Sequence, residues 1–97
     1  MSNFGIYYGR PSTVQKLTSG SSSSASSTFG ATTSVIMLVA RTHACHFTLG
    51  ASPTATTSSA FLPKNEIIYV KVSGGSDKIA VIREASSDGE VYVTELI

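Results

Sequence analysis

The chain is poor in the residues on which several classes of protein depend. Its 97 residues include one cysteine, three prolines and no tryptophan. With Cys45 alone, an intramolecular disulfide is excluded, as is typical of a protein assembled in a reducing cytoplasm. We expect its thiol to be a small buried apolar group.

Charge is also scarce. Charged residues make up 13% of the sequence, with seven basic and six acidic side chains and a net charge of +1, and no Lys or Arg cluster occurs. Because nucleic-acid-binding domains present a basic face, we expect no nucleic-acid partner. Ser and Thr hydroxyls supply much of the polar surface instead, which suits close contact with another protein.

Long apolar runs are missing as well. No stretch reaches the roughly 20 apolar residues of a membrane helix. The N-terminal "MSNFGIYYGRPS" lacks the basic and apolar regions of a signal peptide. We therefore expect a soluble, unexported chain with no membrane partner. A chain of this size builds one modest core, so surface covered by a partner would add substantially to its stability.

The residues that are present favour β-structure. Short runs of β-branched and aromatic residues predict five strands, at 35–40, 45–49, 67–72, 79–82 and 91–96. Turn-forming residues separate them at 49–54, 62–65, 73–77 and 86–90. This spacing predicts antiparallel pairing, with a hairpin connection at 73–77 and a tight hairpin at Asp88-Gly89.

Helix is not indicated. The best helical candidate is 77–85, "DKIAVIREA", but its Ile79, Val81 and Ile82 fit a buried strand equally well. No helical period occurs elsewhere. The class is therefore all-β, and eight or so short strands predict a sandwich or a small barrel.

Several predicted strands are apolar on both faces. In 35–40, Val35, Met37 and Val39 point one way while the equally apolar alternate residues point the other, and 67–72 and 79–82 behave alike. In a two-sheet sandwich the outer face of each sheet is exposed to solvent. Something must cover the second face, either the chain's own N-terminal segment or another subunit. Each hidden Ile or Leu contributes roughly 1.5–3 kcal/mol, which favours an assembly component.

The tract "GSSSSASSTFGATTS", residues 20–34, is too varied for a simple flexible linker. We predict a loop at 20–23 and ordered, edge-like structure at 24–33, a mobile loop being the alternative. Residues 1–12 resemble an extended arm preceding a sandwich domain at 13–97. Its aromatic and apolar side chains suit docking on a neighbour, whereas a frayed tail or a first strand is the alternative reading.

The segment "THACHF" holds the only cluster of metal-capable side chains. On a strand, His43 and Cys45 share a face and His46 points opposite. A zinc site needs four ligands, or three and water, so a carboxylate would have to be recruited from Asp77, Glu66 or Glu84. We expect no metal and no cofactor, although a metal held on a symmetry axis by His43 or His46 of several subunits stays open.

Catalytic signatures are missing from the serine-rich sequence. No "GxSxG" elbow frames a serine, and Ser76 in "GGSDK" lacks a strand-to-helix context. The same loop lacks the spacing of a phosphate-binding loop. We therefore expect that the protein is not an enzyme.

From about residue 13 to residue 97 the sequence resembles small virion proteins of tailed bacteriophages. The resemblance is carried by "SSSSASSTFGATTSVIML", "FTLGASPTAT", "FLP", "EIIYVKV", "GGSDKIAVI" and "VYVTEL". It implies a compact antiparallel β-sandwich, jelly-roll or immunoglobulin-like, that decorates or cements a capsid or lies at the head-to-tail junction. The resemblance implies no active site. We expect partner contacts at the arm and two turns, namely at Phe4, Ile6, Tyr7, Tyr8, Arg10, Gly50, Ala51, Ser52, Pro53, Thr54, Ser73, Gly74, Gly75, Ser76 and Asp77.

The expected function is that of a capsid decoration or cement protein. It would bridge major capsid protein subunits as a homo-oligomer on the virion, after assembly in the host cytoplasm. The alternative is a head-tail junction or tail-fibre component that binds a host-surface glycan or protein. Against a glycan site, Tyr69 and Tyr92 lie in predicted strands and tryptophan is absent. A hydrolase is a third hypothesis, which reactive-serine labelling would test.

Overall fold

A computed structural model describes residues 10–97, which form eight β-strands and no helix. The strands are β1 (Pro11–Ser19), β2 (Ser24–Ala25), β3 (Val35–Arg41), β4 (Cys45–Gly50), β5 (Ala60–Leu62), β6 (Ile67–Lys71), β7 (Lys78–Arg83) and β8 (Gly89–Leu96). No helix that could cross a membrane occurs among these residues. The all-β class predicted from the sequence is confirmed.

The strands form two antiparallel sheets of four. The first sheet has the order β1-β8-β3-β6 and the second has the order β2-β7-β4-β5. The pairs β1 with β8, β2 with β7, β3 with β6 and β4 with β5 are those of one long hairpin rolled over onto itself. This winding makes the β-sandwich a jelly roll rather than an immunoglobulin-like sandwich.

All five predicted strands are present, as β3, β4, β6, β7 and β8, and 78–83 is a strand rather than a helix. The predicted hairpins are wrong. Asp88-Gly89 leads from β7 of the second sheet to β8 of the first, and 73–77 leads from β6 to β7 in the opposite direction. Only β4 and β5 are neighbours both along the chain and within a sheet. Turn residues permit a reversal, but they do not specify whether it stays within one sheet.

The core lies between the sheets and is built from alternate side chains of each strand. Ile36 and Leu38 of β3 and Val91 and Val93 of β8 are fully buried from the first sheet. The second sheet and the tract before β3 contribute further buried side chains, namely Cys45, Phe47, Leu62, Ile79, Val81 and Phe29.

The serine-rich tract, residues 20–34, is part of the sandwich and packs along one edge of the second sheet. Residues 20–23 form the predicted loop, and the ordered part that follows contains the short edge strand β2. The Ser26 and Phe29 backbone N–H groups donate to the carbonyl oxygens of Ile79 (2.8 Å) and Asp77 (3.0 Å). Phe29 is only 1% exposed. Small side chains let this tract approach β7 closely enough for those bonds, and Phe29 seals the end of the core.

A buried carboxylate holds the turn that follows Phe29. Glu95 of β8 is 4% exposed, and its Oε1 accepts from the Gly30 backbone N–H at 2.9 Å and the Thr33 hydroxyl at 2.8 Å. Among residues 10–97 no basic side chain forms an ion pair with it. Glu95 therefore stabilises the turn at 30–33 through two hydrogen bonds to its carboxyl oxygen.

We expect Glu95→Ala to lower the free energy of unfolding by about 1–3 kcal/mol, because it leaves the buried Thr33 hydroxyl and the partly buried Gly30 N–H without an acceptor. Glu95→Gln keeps an acceptor oxygen at the same position and should lose less. Chemical denaturation of both variants measures the difference. Glu90→Ala is the matched control, since its pair with Lys16 at 3.6 Å is exposed and worth at most about 1 kcal/mol. An equal loss in the Ala and Gln variants would contradict the role given to these hydrogen bonds.

Candidate interaction surface

The outer face of the first sheet is apolar and partly open. Strand register places Met37 of β3 beside Tyr69 of β6, and Val39 beside Ile67. Ile67 is 58% exposed, Tyr69 is 41% exposed and Val14 on β1 is 56% exposed. On β3 the outward side chains are only half-buried. The two-faced apolar pattern of the sequence thus becomes, on this sheet, an apolar surface that reaches solvent.

The outer face of the second sheet is covered by the β4–β5 connection, residues 51–59. The Ala55 backbone N–H donates to the Ser23 hydroxyl at 2.8 Å, next to β2, and the Ser59 carbonyl lies 2.9 Å from Nδ1 of His46 on β4. Because β7 lies between β2 and β4, the connection crosses over it. Ala80, which points outward from β7, is consequently fully buried. Among the described residues, the cover of this sheet is thus the chain's own 51–59 segment.

His46 holds residues 51–59 against the second sheet. Its Nε2 lies 2.5 Å from Oε1 of Glu84, its Nδ1 faces the Ser59 carbonyl, and the Phe61 ring meets it edge-on with centroids 5.4 Å apart. The residue is 8% exposed. With an acceptor oxygen at each nitrogen and little solvent access, the ring serves as a structural clamp and has no nitrogen free for a substrate.

The three predicted metal-capable side chains point in different directions. His43 lies in the turn before β4 rather than on the strand, with Nδ1 3.0 Å from the Asp88 carbonyl oxygen. Cys45 points into the core and His46 points to the outer face. Within residues 10–97 no group of three or more His, Cys, Asp or Glu side chains could hold a metal ion. His43 and Cys45 therefore do not share a face as predicted.

Burial raises the pKa of the Cys45 thiol from 9.0 to about 11. Between about pH 9 and 11 the unfolded chain loses this proton while the folded chain keeps it, so the free energy of unfolding falls as pH rises through that window. We expect denaturation midpoints measured across this range to decline more steeply for the native sequence than for Cys45→Ala, which lacks the group. Parallel declines in the two proteins would contradict the prediction.

The predicted contact residues that the structure describes lie at one end of the sandwich. Arg10 exchanges two backbone hydrogen bonds with Ile97, and Gly50 lies opposite Lys78, directly after the 73–77 loop. Ala51, Ser52, Thr54, Ser73, Gly75 and Ser76 are exposed, as is Arg10, whereas Gly50, Pro53, Gly74 and Asp77 are half-buried. Phe4, Ile6, Tyr7 and Tyr8 lie outside the described residues.

The 73–77 loop is also part of the internal packing. The Gly75 N–H donates to the Phe29 carbonyl oxygen at 2.9 Å, and a side-chain oxygen of Asp77 accepts from the Ser73 N–H at 2.9 Å. Gly74 lies against the backbone of the turn at 30–33. The main-chain N–H groups of Ser73, Gly75, Ser76 and Asp77 therefore donate within the chain rather than converging on an anion.

Residues 10–97 line depressions at both ends of the sandwich. One of about 390 Å³ lies at the β3–β6 side of the first sheet and is lined by Ser34, Val35, Tyr69, Val70 and Lys71. The other, of about 420 Å³, lies near the opposite end and is lined by Thr18, Thr42, His43, Asp88, Gly89 and Glu90. Sequence reasoning missed Val14 on the open face because 13–19 was not predicted as a strand. Val14 and Leu17 lie on opposite faces of the strand, so the sequence offered no alternation of apolar and polar residues as a signal.

No model of a known protein family, no curated protein and no solved structure matches this chain. A function is therefore inferred from three features: the jelly roll, the apolar outer face of its first sheet, and the end of the sandwich that carries the 73–77 loop.

Proposed function

We propose that the chain is a non-enzymatic structural protein of a bacteriophage virion, most simply a capsid decoration or cement protein that bridges and stabilises major capsid protein subunits. The observation that carries this proposal is the open apolar face of the first sheet. Val14, Ile67 and Tyr69 are each more than two-fifths exposed there, beside half-buried residues of β3. Exposed apolar patches of this kind are typical of protein interaction sites.

The outer faces of the two sheets differ in how far they are covered, which supports an interface on the first sheet. The chain seals the second sheet with its own residues 51–59, whereas apolar side chains of the first sheet reach solvent. Burying a side chain such as Ile67 against a partner contributes roughly 1.5–3 kcal/mol. On a shell, many copies add such contacts together, so disassembly must break them jointly.

The architecture is compatible with this role. Eight-stranded jelly rolls are a recurrent design of viral capsid proteins, and of lectins as well. This is a fold-level analogy, and it gains weight only beside the resemblance of residues 13–97 to small virion proteins of tailed phages.

The reactive side chains are engaged in structural contacts, which favours a structural role over catalysis. Cys45 is fully buried with a raised pKa, so little nucleophilic thiolate forms near neutral pH. His46 is clamped between Glu84 and the Ser59 carbonyl.

A second candidate is a tail or fibre module that binds a host-surface glycan, and the side chains around the depression of about 420 Å³ favour it. Thr18, Thr42, His43, Asp88 and Glu90 line this depression and offer hydroxyl, imidazole and carboxylate groups of the kind that bind sugar hydroxyls. Binding to a glycan array that is lost in Asp88→Ala would support this candidate over the first.

The decoration role is tested with virions assembled without this chain, to which purified protein is added back. We expect Val14→Lys and Ile67→Lys to lower occupancy on the particle at least tenfold, because each places a charge in the apolar contact. Thr57→Lys and Ser58→Lys, which are exposed on the 51–59 connection, are the matched controls and should bind normally. Circular dichroism verifies that every variant is folded. Equal occupancy of all four variants, or no binding of the native protein, would reject the proposal.

A further inference from the structure

We propose that His46 and Glu84 make the 51–59 connection a pH-sensitive cover of the second sheet. The cover is held while a proton lies between Nε2 of His46 and Oε1 of Glu84, and it loosens when that proton is lost. Attachment to a virion through the first sheet does not depend on this device, which lies on the opposite sheet.

Both nitrogens of the His46 ring face oxygen atoms. Nδ1 lies 2.9 Å from the Ser59 carbonyl oxygen, and Nε2 lies 2.5 Å from Oε1 of Glu84. A carbonyl oxygen can only accept, so Nδ1 must carry a hydrogen. A carboxylate can also only accept, so a second hydrogen must lie between Nε2 and Oε1. A neutral imidazole and a carboxylate supply only one hydrogen, and the contact therefore holds one proton more.

Loss of that proton removes one of the two contacts. A neutral ring that keeps its hydrogen on Nδ1 turns the lone pair of Nε2 toward the Glu84 carboxylate. A ring that keeps its hydrogen on Nε2 has none to donate to Ser59. His46 is 8% exposed, so little water reaches the ring to replace the lost partner. A buried polar atom without a partner is unfavourable, and opening of the cover relieves it.

The contact with His46 joins one end of the connection to the sheet. The Ser59 N–H donates to the Thr56 carbonyl oxygen at 2.9 Å, and the Thr56 N–H donates to the Ser59 hydroxyl at 3.0 Å, so residues 56–59 form one turn. Ala55 precedes this turn, is 2% exposed, and donates its N–H to the Ser23 hydroxyl at 2.8 Å. Release of the turn from His46 should therefore be felt at the Ala55 N–H.

The segments packed against His46 bring one titratable group to it, the Glu84 carboxylate. The 51–59 connection contains no charged residue. The neighbouring strands β5 and β7 place uncharged side chains opposite His46, namely Phe61 and Ile82. Arg83 is next to Glu84 in the chain, but it pairs with Asp88 at 2.7 Å. Among residues 10–97, Glu84 is the ion-pair partner of His46, and the pH response is assigned to these two side chains.

Amide hydrogen exchange of the full chain tests the proposal, with the Ala55 N–H as reporter. Each rate is divided by that of an unstructured peptide at the same pH, which removes the intrinsic effect of pH on exchange. Between about pH 5.5 and about pH 8.5, which spans the ordinary titration of histidine, protection at Ala55 should fall about tenfold, as expected for the loss of a hydrogen bond to a charged group. Leu38, in the central strand β3, reports on the rest of the sandwich and should stay protected.

Glu84→Gln is the decisive variant. An amide can donate or accept at the same position, so it partners Nε2 whether or not this nitrogen carries a hydrogen. Protection at Ala55 should then be nearly independent of pH. The side chain of Glu84 is 48% exposed, so the substitution should leave the fold intact. Glu66→Gln, at an exposed position before β6, is the matched control and should keep the native pH profile.

Constant protection at Ala55 in the native protein over this range would overturn the proposal. An equal decline in the native protein and in Glu84→Gln would also overturn it, because the response would then come from elsewhere. Nitrogen chemical shifts of the His46 ring give an independent readout. A ring with one hydrogen at the lower pH, beside a protected Ala55, would show that the cover does not need the extra proton. None of these measurements involves a virion, so the two proposals can fail separately.

Discussion

Replacing Phe29 with alanine should lower the free energy of unfolding by about 3–5 kcal/mol, a large part of the roughly 5–15 kcal/mol expected for a single domain. Phe29 is 1% exposed and is the large side chain that closes the core beside the 73–77 loop. Its truncation leaves a cavity that the surrounding backbone cannot fill, because hydrogen bonds from Phe29 to Asp77 and from Gly75 to Phe29 hold both segments in place.

Urea denaturation measures this loss, and thermal unfolding should show a fall of about 4–8 °C for each kcal/mol. Phe61→Ala is the matched control, since Phe61 is 50% exposed and its removal should have an effect below about 1.5 kcal/mol, from lost contact with His46. If the two variants were equally stable, the serine-rich tract would be a dispensable loop and not a wall of the domain.

Gly74→Ala should be the most damaging change to a surface loop. A Cβ at this position would lie 2.3 Å from the Gly30 carbonyl oxygen and 2.4 Å from that of Thr33, both of them backbone atoms. Atoms this close must move apart, and neither side is free. The turn at 30–33 is held by Glu95, and the 73–77 loop is bonded to Phe29. We expect a loss of about 3 kcal/mol, at the upper end for overpacking.

Gly20→Ala is the control for a glycine in a loop. The nearest atoms to its added Cβ belong to the Asp88 side chain, at 3.7 Å or more. This variant should be neutral, or more stable by about 0.4–1 kcal/mol through a less flexible unfolded chain. Equal stability of Gly74→Ala and the native protein in chemical denaturation would show that the 73–77 loop moves freely away from the turn at 30–33.

The strands that could be predicted are those whose own side chains favour β-structure. Runs such as 35–40 and 91–96 are rich in β-branched residues, and they appear as β3 and β8. β5 could not be predicted, because "AFL" has three residues and depends on pairing with β4. β1 was missed because Val14 and Leu17 are its only apolar side chains other than proline, and its long pairing with β8 compensates for this.

The candidate site was only partly accessible from the sequence. The pattern of Val35, Met37 and Val39 correctly indicated an apolar outer face on the first sheet. The equivalent interpretation of 79–82 could not reveal that 51–59, a stretch of small polar residues, lies across Ala80. That cover depends on hydrogen bonds to Ser23 and His46, which are 32 and 13 residues away from their partners in the connection.

The amino-acid sequence by itself determined the all-β class, most of the strands and the presence of more apolar strand faces than one core can hide. These properties follow from local preference and from alternation along a strand, which are written in neighbouring residues. Only the tertiary structure decided that the strands wind as a jelly roll, that turns such as Asp88-Gly89 cross between sheets, and that residues 51–59 cover the second sheet while Ile67 is exposed on the first. Those outcomes depend on which distant segments pair. The residues that stabilise such pairing are far apart in the sequence, so no pattern among neighbouring residues reveals it.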